Sequence, residues 1–170
     1  MRFLEGTSAF RRRLLAATII VTGAIAGGWA YAGVEPAPTA KRIPLAKTEN
    51  VRGAKDRTLE LSRVVIPAGV ELDRHFHKGT QIASINKGKL RYTVYTGGVT
   101  VKRGSPGDSD VVRKIKPGQT GTLRAGDWIV EQPSTQHSAA NRGNEKVVIY
   151  LANLLKSGAP ASTPAEVGTP

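Results

Sequence analysis

The stretch GVELDRHFHKGTQIASINKG, residues 69–88, carries two of the three histidines in a chain of 170 residues. It predicts two short strands, Val70–His77 and Thr80–Ile85. Because side chains alternate across a strand, His75 and His77 point to the same face, about 7 Å apart along it. Inside a barrel this pair could chelate one metal ion, whereas on an outer face it would simply be solvated. The two histidines alone leave both interpretations open.

Residues on both sides of this stretch predict further strands of the same kind. Short apolar and β-branched runs alternate with turns that contain Gly, Pro, Asn or Asp, and none of these runs has the apolar stripe of a helix. The additional predicted strands are Thr58–Ile66, Lys89–Thr96, Val99–Lys102, Val111–Ile115, Thr120–Leu123, Trp128–Glu131, His137–Ala140 and Lys146–Asn153. We therefore predict an antiparallel, all-β sandwich or barrel.

The segments that flank these strands differ from them in composition. Residues 33–55 contain three prolines and no sustained periodicity, which predicts a linker. Residues 156–170 are rich in Pro, Ala, Ser, Thr and Gly, and they carry too little apolar surface to offset the entropy of ordering. We expect a disordered tail there, which leaves residues 56–155 as the folded domain.

The N-terminal residues 1–32 have the features of an export segment. Three arginines at 11–13 precede an uncharged run over residues 14–34, and the small residues Ala30 and Ala32 fit a signal peptide cut after Ala32. The run is also long enough to remain as an uncleaved membrane anchor. In both cases the domain is expected outside the cytoplasm, in the periplasm or the extracellular space, with membrane contact only through this segment if it is uncleaved.

Charge and cysteine content exclude several classes of function. The net charge of +12 is compatible with nucleic-acid binding, but the basic residues of the domain are scattered and are not interleaved with stacking aromatics. We expect a solvated basic surface and no nucleic-acid partner. The chain has no cysteine, so it forms no disulfide and offers no thiolate ligand to a metal.

The spacing of residues in two segments resembles the two motifs of the cupin family. From Gly69 the chain has His75 and His77, then Gln81 and Gly88, at the separations of the first cupin motif, which has Glu where this chain has Gln81. All other spacings of that motif agree. This segment therefore resembles the first cupin motif, with Gln81 as the one departure.

The second cupin motif is matched less closely. Gly126, His137 and Asn141 stand at the expected separations, whereas Pro133 falls one place late and Ser134 stands where the motif has its second glycine. The turn before the third histidine therefore departs from the family pattern. All three histidines of the chain nevertheless occupy positions that cupins use for metal.

The resemblance implies an all-β cupin fold, a double-stranded β-helix or jelly-roll barrel, here preceded by an N-terminal hydrophobic helix. It also implies one divalent transition metal ion bound by His75, His77 and His137, with Gln81 as the fourth ligand. Fe, Mn, Zn, Ni and Cu all remain open, because three imidazoles and an amide accept each of them. Two alternatives stay open as well: histidines that line the barrel without metal, and Gln81 as a hydrogen-bonding wall residue.

Replacing the family's Glu by Gln81 removes one negative charge from the expected ligand set. We expect lower metal affinity and higher Lewis acidity than in cupins that keep the carboxylate. Glu131 and Asp127 are candidates for a general base or a residue that supports the ligands, although a solvated strand end or turn explains each equally well. Tyr92 and Tyr95 lie on opposite faces of their strand, so at most one faces the interior.

Small cupins are often metal-dependent oxygenases or isomerases, and the resemblance implies such an activity on a small molecule. The alternative is a non-catalytic sensor or binding module that holds a small ligand in the same pocket, with an anion favoured by the basic surface. The family also forms dimers, so a homodimer is among the expected assemblies. The sequence does not decide between these functions.

Overall fold

Residues that alternate between apolar and polar form twelve β-strands in the computed structural model, which describes residues 37–49, 51–133 and 135–165. The strands are β1 Lys41–Thr48, β2 Arg57–Ile66, β3 Glu71–Phe76, β4 Gly79–Lys87, β5 Lys89–Thr96, β6 Val99–Arg103, β7 Asp110–Ile115, β8 Thr120–Arg124, β9 Asp127–Glu131, β10 Gln136–Ala140, β11 Val147–Lys156 and β12 Thr163–Pro164. No helix occurs in the described ranges, so the predicted all-β class is confirmed.

The strands pair into two antiparallel sheets. The larger sheet has the order β1-β2-β11-β4-β9-β6-β7, and the smaller has the order β12-β3-β10-β5-β8. Strands that are neighbours in a sheet are mostly distant in sequence, as in a jelly roll. The candidate ligands are divided between the sheets, because β3 and β10 belong to the smaller sheet and β4 and β9 to the larger.

The core lies between the inner faces of the two sheets. Ile66, Val101 and Val147 of the larger sheet and Val94 and Leu123 of the smaller sheet have no exposed surface. In β2, β5 and β11, buried and more exposed residues alternate, because successive side chains point to opposite faces. Burial of one such side chain stabilises the fold by roughly 1.5–3 kcal/mol.

Gly79 sets the distance between β4 and β11. A Cβ atom built at position 79 would lie 2.2 Å from the carbonyl oxygen of Leu154, so the two backbones approach too closely for any other residue. The position stands between His77 and Gln81 in the chain, two residues from each. This close contact therefore fixes the position of the connection from β3 to β4, which presents both side chains.

Part of the predicted linker is instead β1, which pairs antiparallel with β2 at the edge of the larger sheet. Pro44 stands where the register shifts, a position that tolerates proline because an edge strand leaves some N–H groups unpaired. Arg42 of β1 forms an ion pair with Glu60 of β2 at 3.1 Å. The order of this strand comes from its partner, which the local sequence does not reveal.

Part of the predicted disordered tail is also ordered. The segment after β11 returns to β3 and pairs with it as β12, with the N–H of Ala165 donating to the carbonyl oxygen of Arg74 at 3.1 Å. Only 9% of Ala165 is exposed. Composition failed here because the segment gains its order from a neighbouring strand and from no apolar pattern of its own.

Several predictions fall on residues outside the described ranges. The signal peptide or anchor of residues 1–32 and the hydrophobic helix within it lie there, as do residues 33–36 of the linker and residues 166–170 of the tail. Within the residues that the structure describes, no helix is long and apolar enough to cross a membrane.

Candidate metal centre

The pairing of β3 with β10 brings the three histidines together. His75 stands directly opposite His137 in this antiparallel pair, and His77 follows the end of β3 by one residue. One ring nitrogen from each histidine can be chosen so that all three lie within 4.8 Å of one another. The expected convergence of residues some sixty positions apart is therefore found.

A backbone carbonyl lies close to the Nδ1 atom of each histidine. The distances are 2.7 Å from His75 to Asp73 O, 2.7 Å from His77 to Ala161 O and 3.4 Å from His137 to Thr135 O. Because a carbonyl only accepts hydrogen bonds, these contacts favour a proton on Nδ1. Nε2 is then the unprotonated nitrogen whose lone pair can accept a hydrogen bond or bind a metal, which is the arrangement that metal-binding histidines commonly have.

A buried glutamine and a buried glutamate face these imidazoles from the larger sheet. Gln81 of β4 stands opposite Glu131 of β9, and the two residues are 3% and 2% exposed. Gln81 Nε2 donates to Glu131 Oε2 at 2.5 Å and lies 3.2 Å from His77 Nε2. Gln81 Oε1 is buried without a hydrogen-bond partner. The predicted ligand Gln81 thus lies beside the histidines, with its NH₂ group on the side of His77.

The carboxylate of Glu131 lies next to two of the three histidines. Its Oε1 is 3.4 Å from His137 Nε2, and its Oε2 is 3.5 Å from His77 Nε2. The hydroxyl of Tyr92 donates to Oε1 at 2.7 Å, so each oxygen receives one hydrogen bond from a buried group. This burial excludes the interpretation of Glu131 as a solvated strand end.

Sequence reasoning underestimated Glu131, although the strand pattern contained a usable indication. Residues two apart in a strand share a face, so Glu131 shares one with Ile129, an apolar residue that belongs in the core. What the pattern does not contain is the pairing with Gln81, because the two residues are fifty positions apart.

The environment of the centre shifts the pKa values of its buried groups. Burial lowers the pKa of His137 to about 4, although the Glu131 carboxylate acts in the opposite direction. Burial lowers the pKa of His77 as well. For Glu131, burial raises the pKa, but the nearby His137 and His77 and the hydrogen bonds from Tyr92 and Gln81 lower it by more. Neutral imidazoles and an ionised carboxylate are the forms that bind metal.

The two tyrosines of β5 have different roles, as the alternation predicted. Tyr92 is buried and its ring stacks on that of His137, with 4.8 Å between centroids and 18° between planes. Burial, followed by the charge of Glu131, raises the pKa of Tyr92 well above its usual value, so the hydroxyl remains a donor. Tyr95 is 38% exposed and its hydroxyl contacts Ser138 Oγ at 3.1 Å.

Two other residues considered from the sequence have structural roles. Asp127 accepts hydrogen bonds from Arg103 Nε at 2.7 Å and from the N–H of Arg124 at 2.8 Å, and so closes the turn between β8 and β9. Asn141 accepts from the N–H of Gly143 at 3.0 Å and donates to the carbonyl of Ile66 at 2.9 Å. Asn141 therefore stabilises the turn that follows β10.

The centre lines a cavity of about 940 Å³ between the two sheets. All three histidines, Gln81 and Glu131 contribute to its wall. Apolar core side chains form another part of the wall: Val64, Ile85, Leu90, Leu123, Ile129, Ile149 and Leu151. The cavity is large enough for a small molecule beside the imidazoles, in a setting that is mainly apolar with a few polar groups.

Residues from both ends of the described chain complete this cavity. Ala37 to Ala40 and Arg42 line it on one side, and Ala161 and Ser162 belong to the segment that bonds His77. The guanidinium of Arg74 lies 4.5 Å from the centre of the Tyr95 ring, on the face of β5 opposite to Tyr92. The predicted linker and tail therefore take part in the pocket.

The donor set fits a divalent transition metal. Each imidazole has its Nδ1 atom near a backbone carbonyl, which leaves Nε2 as the nitrogen that can bind a metal, although the Nε2 of His77 lies 3.2 Å from Gln81 Nε2. An ionised carboxylate lies 3.4–3.5 Å from the Nε2 atoms of His137 and His77, and the cavity gives a small ligand access to the group. Among the described residues, these histidines are the one cluster of three or more metal-binding side chains that are close enough to share an ion. Imidazole and carboxylate suit Zn, Fe, Mn, Ni or Cu, and the set does not distinguish them.

Comparisons with known proteins agree with this description at the level of the fold. No protein-family model and no curated protein matches the chain. A cupin 2 domain-containing protein from Halorhodospira halophila is similar in structure, with a TM-score of 0.50 and 13% identity over 80% of this chain and 77% of that chain.

This chain covers less than two thirds of the length of two further similar structures. For the cupin domain of Schizosaccharomyces pombe Cnp3, the TM-score is 0.48 and the identity 19%, over 68% of this chain and 61% of that chain. For oxalate decarboxylase from Bacillus subtilis, which has Mn(II) centres, the TM-score is 0.45 and the identity 20%, over 74% and 27%. Identities this low show the fold alone. The chain has the cupin fold, an all-β jelly roll of two antiparallel sheets that brings His75, His77 and His137 to one cavity.

Proposed function

We propose that this chain is an exported cupin that binds one divalent transition metal ion through His75, His77 and His137. The observation that carries the proposal is the common orientation of the three imidazoles. Each has its Nδ1 atom near a backbone carbonyl, and all three line one cavity. Such an ion would supply Lewis-acid polarisation or activation of a bound small molecule.

The cavity supports a small-molecule partner. Its volume of about 940 Å³ and its apolar wall suit a compact ligand that places a polar group toward the histidines. An anionic group on that ligand is proposed from the net charge of +12. The Arg74 guanidinium does not contribute to this argument, because it donates to Gln136 and lies over Tyr95, on the face of β5 opposite to Tyr92.

The activity that fits this site is metal-dependent oxygenation or isomerisation of a small molecule. The cupin fold is compatible with that chemistry, although fold by itself does not determine function. The chain's own contribution would be to orient the ligand against the imidazoles, to exclude water with the apolar wall, and to place the ionised Glu131 beside the reacting group. A non-catalytic module that binds a small ligand in the same cavity is the second candidate, and the mainly apolar wall of the cavity favours it.

Metal content is the first test. Protein purified without chelator, or reconstituted with Fe, Mn, Zn, Ni or Cu, is expected to hold close to one equivalent by elemental analysis, and His137→Ala is expected to lose it. Gln136→Ala, which changes the neighbouring residue of β10, is a suitable control. A content below about a tenth of an equivalent of every metal after reconstitution would reject the proposal.

Ligand binding separates the two candidate functions. A thermal-shift screen of small carboxylates and other anions is expected to yield a ligand whose affinity depends on the metal. If His137→Ala abolishes metal binding and leaves the ligand affinity unchanged, the ion does not serve the ligand and the non-catalytic module is the better description.

Export is tested on residues 1–32. Mass spectrometry of the protein from the periplasm or the medium is expected to give an N-terminus at Gly33 if the segment is a signal peptide. A full-length protein in the membrane fraction would instead identify an anchor. Full-length protein confined to the cytoplasm would refute export.

A further inference from the structure

We infer that Glu131 is the carboxylate ligand of this centre and that Gln81 positions it, an inference that rests on the proposed metal site. Sequence spacing assigns the fourth ligand to Gln81, which stands at the position of the glutamate in the first cupin motif. The geometry points to the neighbouring strand instead. The carboxylate belongs to β9, and Gln81, at the motif position on β4, donates a hydrogen bond to it.

The distances between donor atoms match a shared ion. Two ligands that bind one metal at about 2.1 Å are about 3.4 Å apart in a tetrahedral site and about 3.0 Å apart in an octahedral one. Glu131 Oε1 lies 3.4 Å from His137 Nε2, and Glu131 Oε2 lies 3.5 Å from His77 Nε2. The carboxylate therefore stands where a ligand next to those two imidazoles belongs.

Gln81 presents the wrong atom for a ligand. Its Nε2 atom is the one that lies 3.2 Å from His77 Nε2, and an amide NH₂ group donates hydrogen bonds and has no lone pair for a metal. Rotating the amide by half a turn would place Oε1 about where Nε2 is now, against Glu131 Oε2 at 2.5 Å. Two acceptor oxygens would then face each other, so the hydrogen bond to Glu131 fixes the amide in its present orientation.

The remaining contacts of Glu131 hold it in place. Tyr92 donates to Oε1 and Gln81 donates to Oε2, so each oxygen of Glu131 is held by its own hydrogen bond. Ligating carboxylates commonly receive such supporting hydrogen bonds. Three neutral imidazoles and one carboxylate also restore the charge that the replacement of Glu by Gln81 removed. The affinity penalty and the higher Lewis acidity expected from the sequence then no longer follow.

The test compares Co(II) and Zn(II) affinities, measured by chelator competition, among four proteins: the wild type, Glu131→Gln, Gln81→Leu and the exchanged pair Gln81→Glu with Glu131→Gln. Glu131→Gln is expected to weaken metal binding by about 10- to 100-fold. The loss of metal affinity in Gln81→Leu is expected to be several-fold smaller than in Glu131→Gln. The exchanged pair keeps one carboxylate at the site and is expected to bind more tightly than Glu131→Gln. Glu145→Gln, which removes an exposed carboxylate, is the matched control.

A second readout does not depend on affinity. The visible absorption of Co(II) reports its coordination, so the spectrum is expected to change in Glu131→Gln and to persist in Gln81→Leu. The inference is wrong if Gln81→Leu abolishes metal binding and alters the Co(II) spectrum, while Glu131→Gln keeps the wild-type spectrum and a metal affinity within about threefold of wild type. Circular dichroism of each metal-free variant shows that it is folded, and Glu131→Asp replaces Glu131→Gln if the latter does not fold.

The experiment keeps the two proposals distinct. If the wild type itself binds no metal, the proposed function fails. If the wild type binds metal and the two single variants respond in the reverse order, only the assignment of Glu131 fails.

Discussion

At the scale of single residues, the centre depends on hydrogen bonds that orient its three imidazoles and the carboxylate of Glu131. The carbonyl near each Nδ1 orients the imidazole so that Nε2 faces the cavity. The hydrogen bonds from Tyr92 and Gln81 orient the two oxygens of Glu131. Asp73 and Gln81 belong to the segment of the first motif, whereas Ala161 and Tyr92 lie outside both motifs. The chemistry of the site therefore depends in part on residues that the motifs do not contain.

Tyr92→Phe tests this support. The change removes the only hydroxyl that donates to Glu131 Oε1 among the described residues and leaves a buried charged oxygen without that partner. We expect the free energy of unfolding to fall by about 1–3 kcal/mol, measured by urea denaturation.

The matched control is Tyr95→Phe on the opposite face of the same strand. Tyr95 is 38% exposed, so its loss of a hydroxyl should cost less than about 0.5 kcal/mol. Equal effects of the two changes would mean that the bond to Glu131 adds nothing.

The residue scale also shows how far the sequence could predict the site. The three histidines could be predicted as a site because their separations in the sequence match the two cupin motifs, and this match needs no knowledge of the strand pairing. The role of Glu131 was not found, since it depends on the pairing of β4 with β9 and on which face of each strand is buried. Strand register over long separations is not written in any local pattern.

At the scale of strands, a close contact between the backbones of β4 and β11 sets the geometry of the segment that carries His77 and Gln81. Gly79→Ala would force a Cβ atom against the carbonyl of Leu154, which belongs to a central strand and cannot move away. We expect a loss of at least about 2–3 kcal/mol in the free energy of unfolding, with weaker metal binding.

Gly107→Ala is the matched control for that change. Its Cβ would meet no atom within 4 Å, so stability should stay within about 0.5 kcal/mol of the wild type. A Gly79→Ala protein as stable as this control would show that β4 and β11 can separate without cost.

The element scale explains the two errors at the ends of the domain. β1 and β12 are short edge strands whose order comes from pairing with β2 and β3. Their own sequences, one interrupted by Pro44 and one ending in Pro164, predict loops. The central strands were predicted because buried faces impose an alternation that edge strands need not have.

Truncation after Ser157 tests the segment that carries β12. The deletion removes the carbonyl of Ala161, which accepts from His77 Nδ1, and we expect metal affinity to fall by about tenfold. Truncation after Ala165 keeps that contact and is expected to bind metal as the full chain does. Equal affinities in the two truncated proteins would show that the Ala161 contact does not orient His77.

At the scale of the whole molecule, the buried histidines couple stability to pH. The pKa of His137 is about 4 in the folded protein and 6.5 when exposed, so below pH 6.5 the unfolded chain takes up a proton that the folded chain does not. For metal-free protein, the free energy of unfolding should fall as the pH drops from about 6.5 to about 4, with up to about 3 kcal/mol from His137.

The measurement is urea denaturation in the presence of chelator across this pH range. His77 acts in the same direction, because burial lowers its pKa too. His137→Gln should give a shallower dependence. A stability that stays constant from pH 6.5 to pH 4 in the wild type would contradict the burial of these imidazoles.

The carbonyl of Ala161 near His77 has a consequence for the order of events during synthesis. β11 lies between β2 and β4 in the larger sheet, and Ala161 follows it by five residues. Neither is available while the C-terminal part of the chain is still inside the ribosomal exit tunnel. The nascent polypeptide thus cannot assemble the finished coordination sphere until Ala161 has left the tunnel, and loading with metal should follow that point.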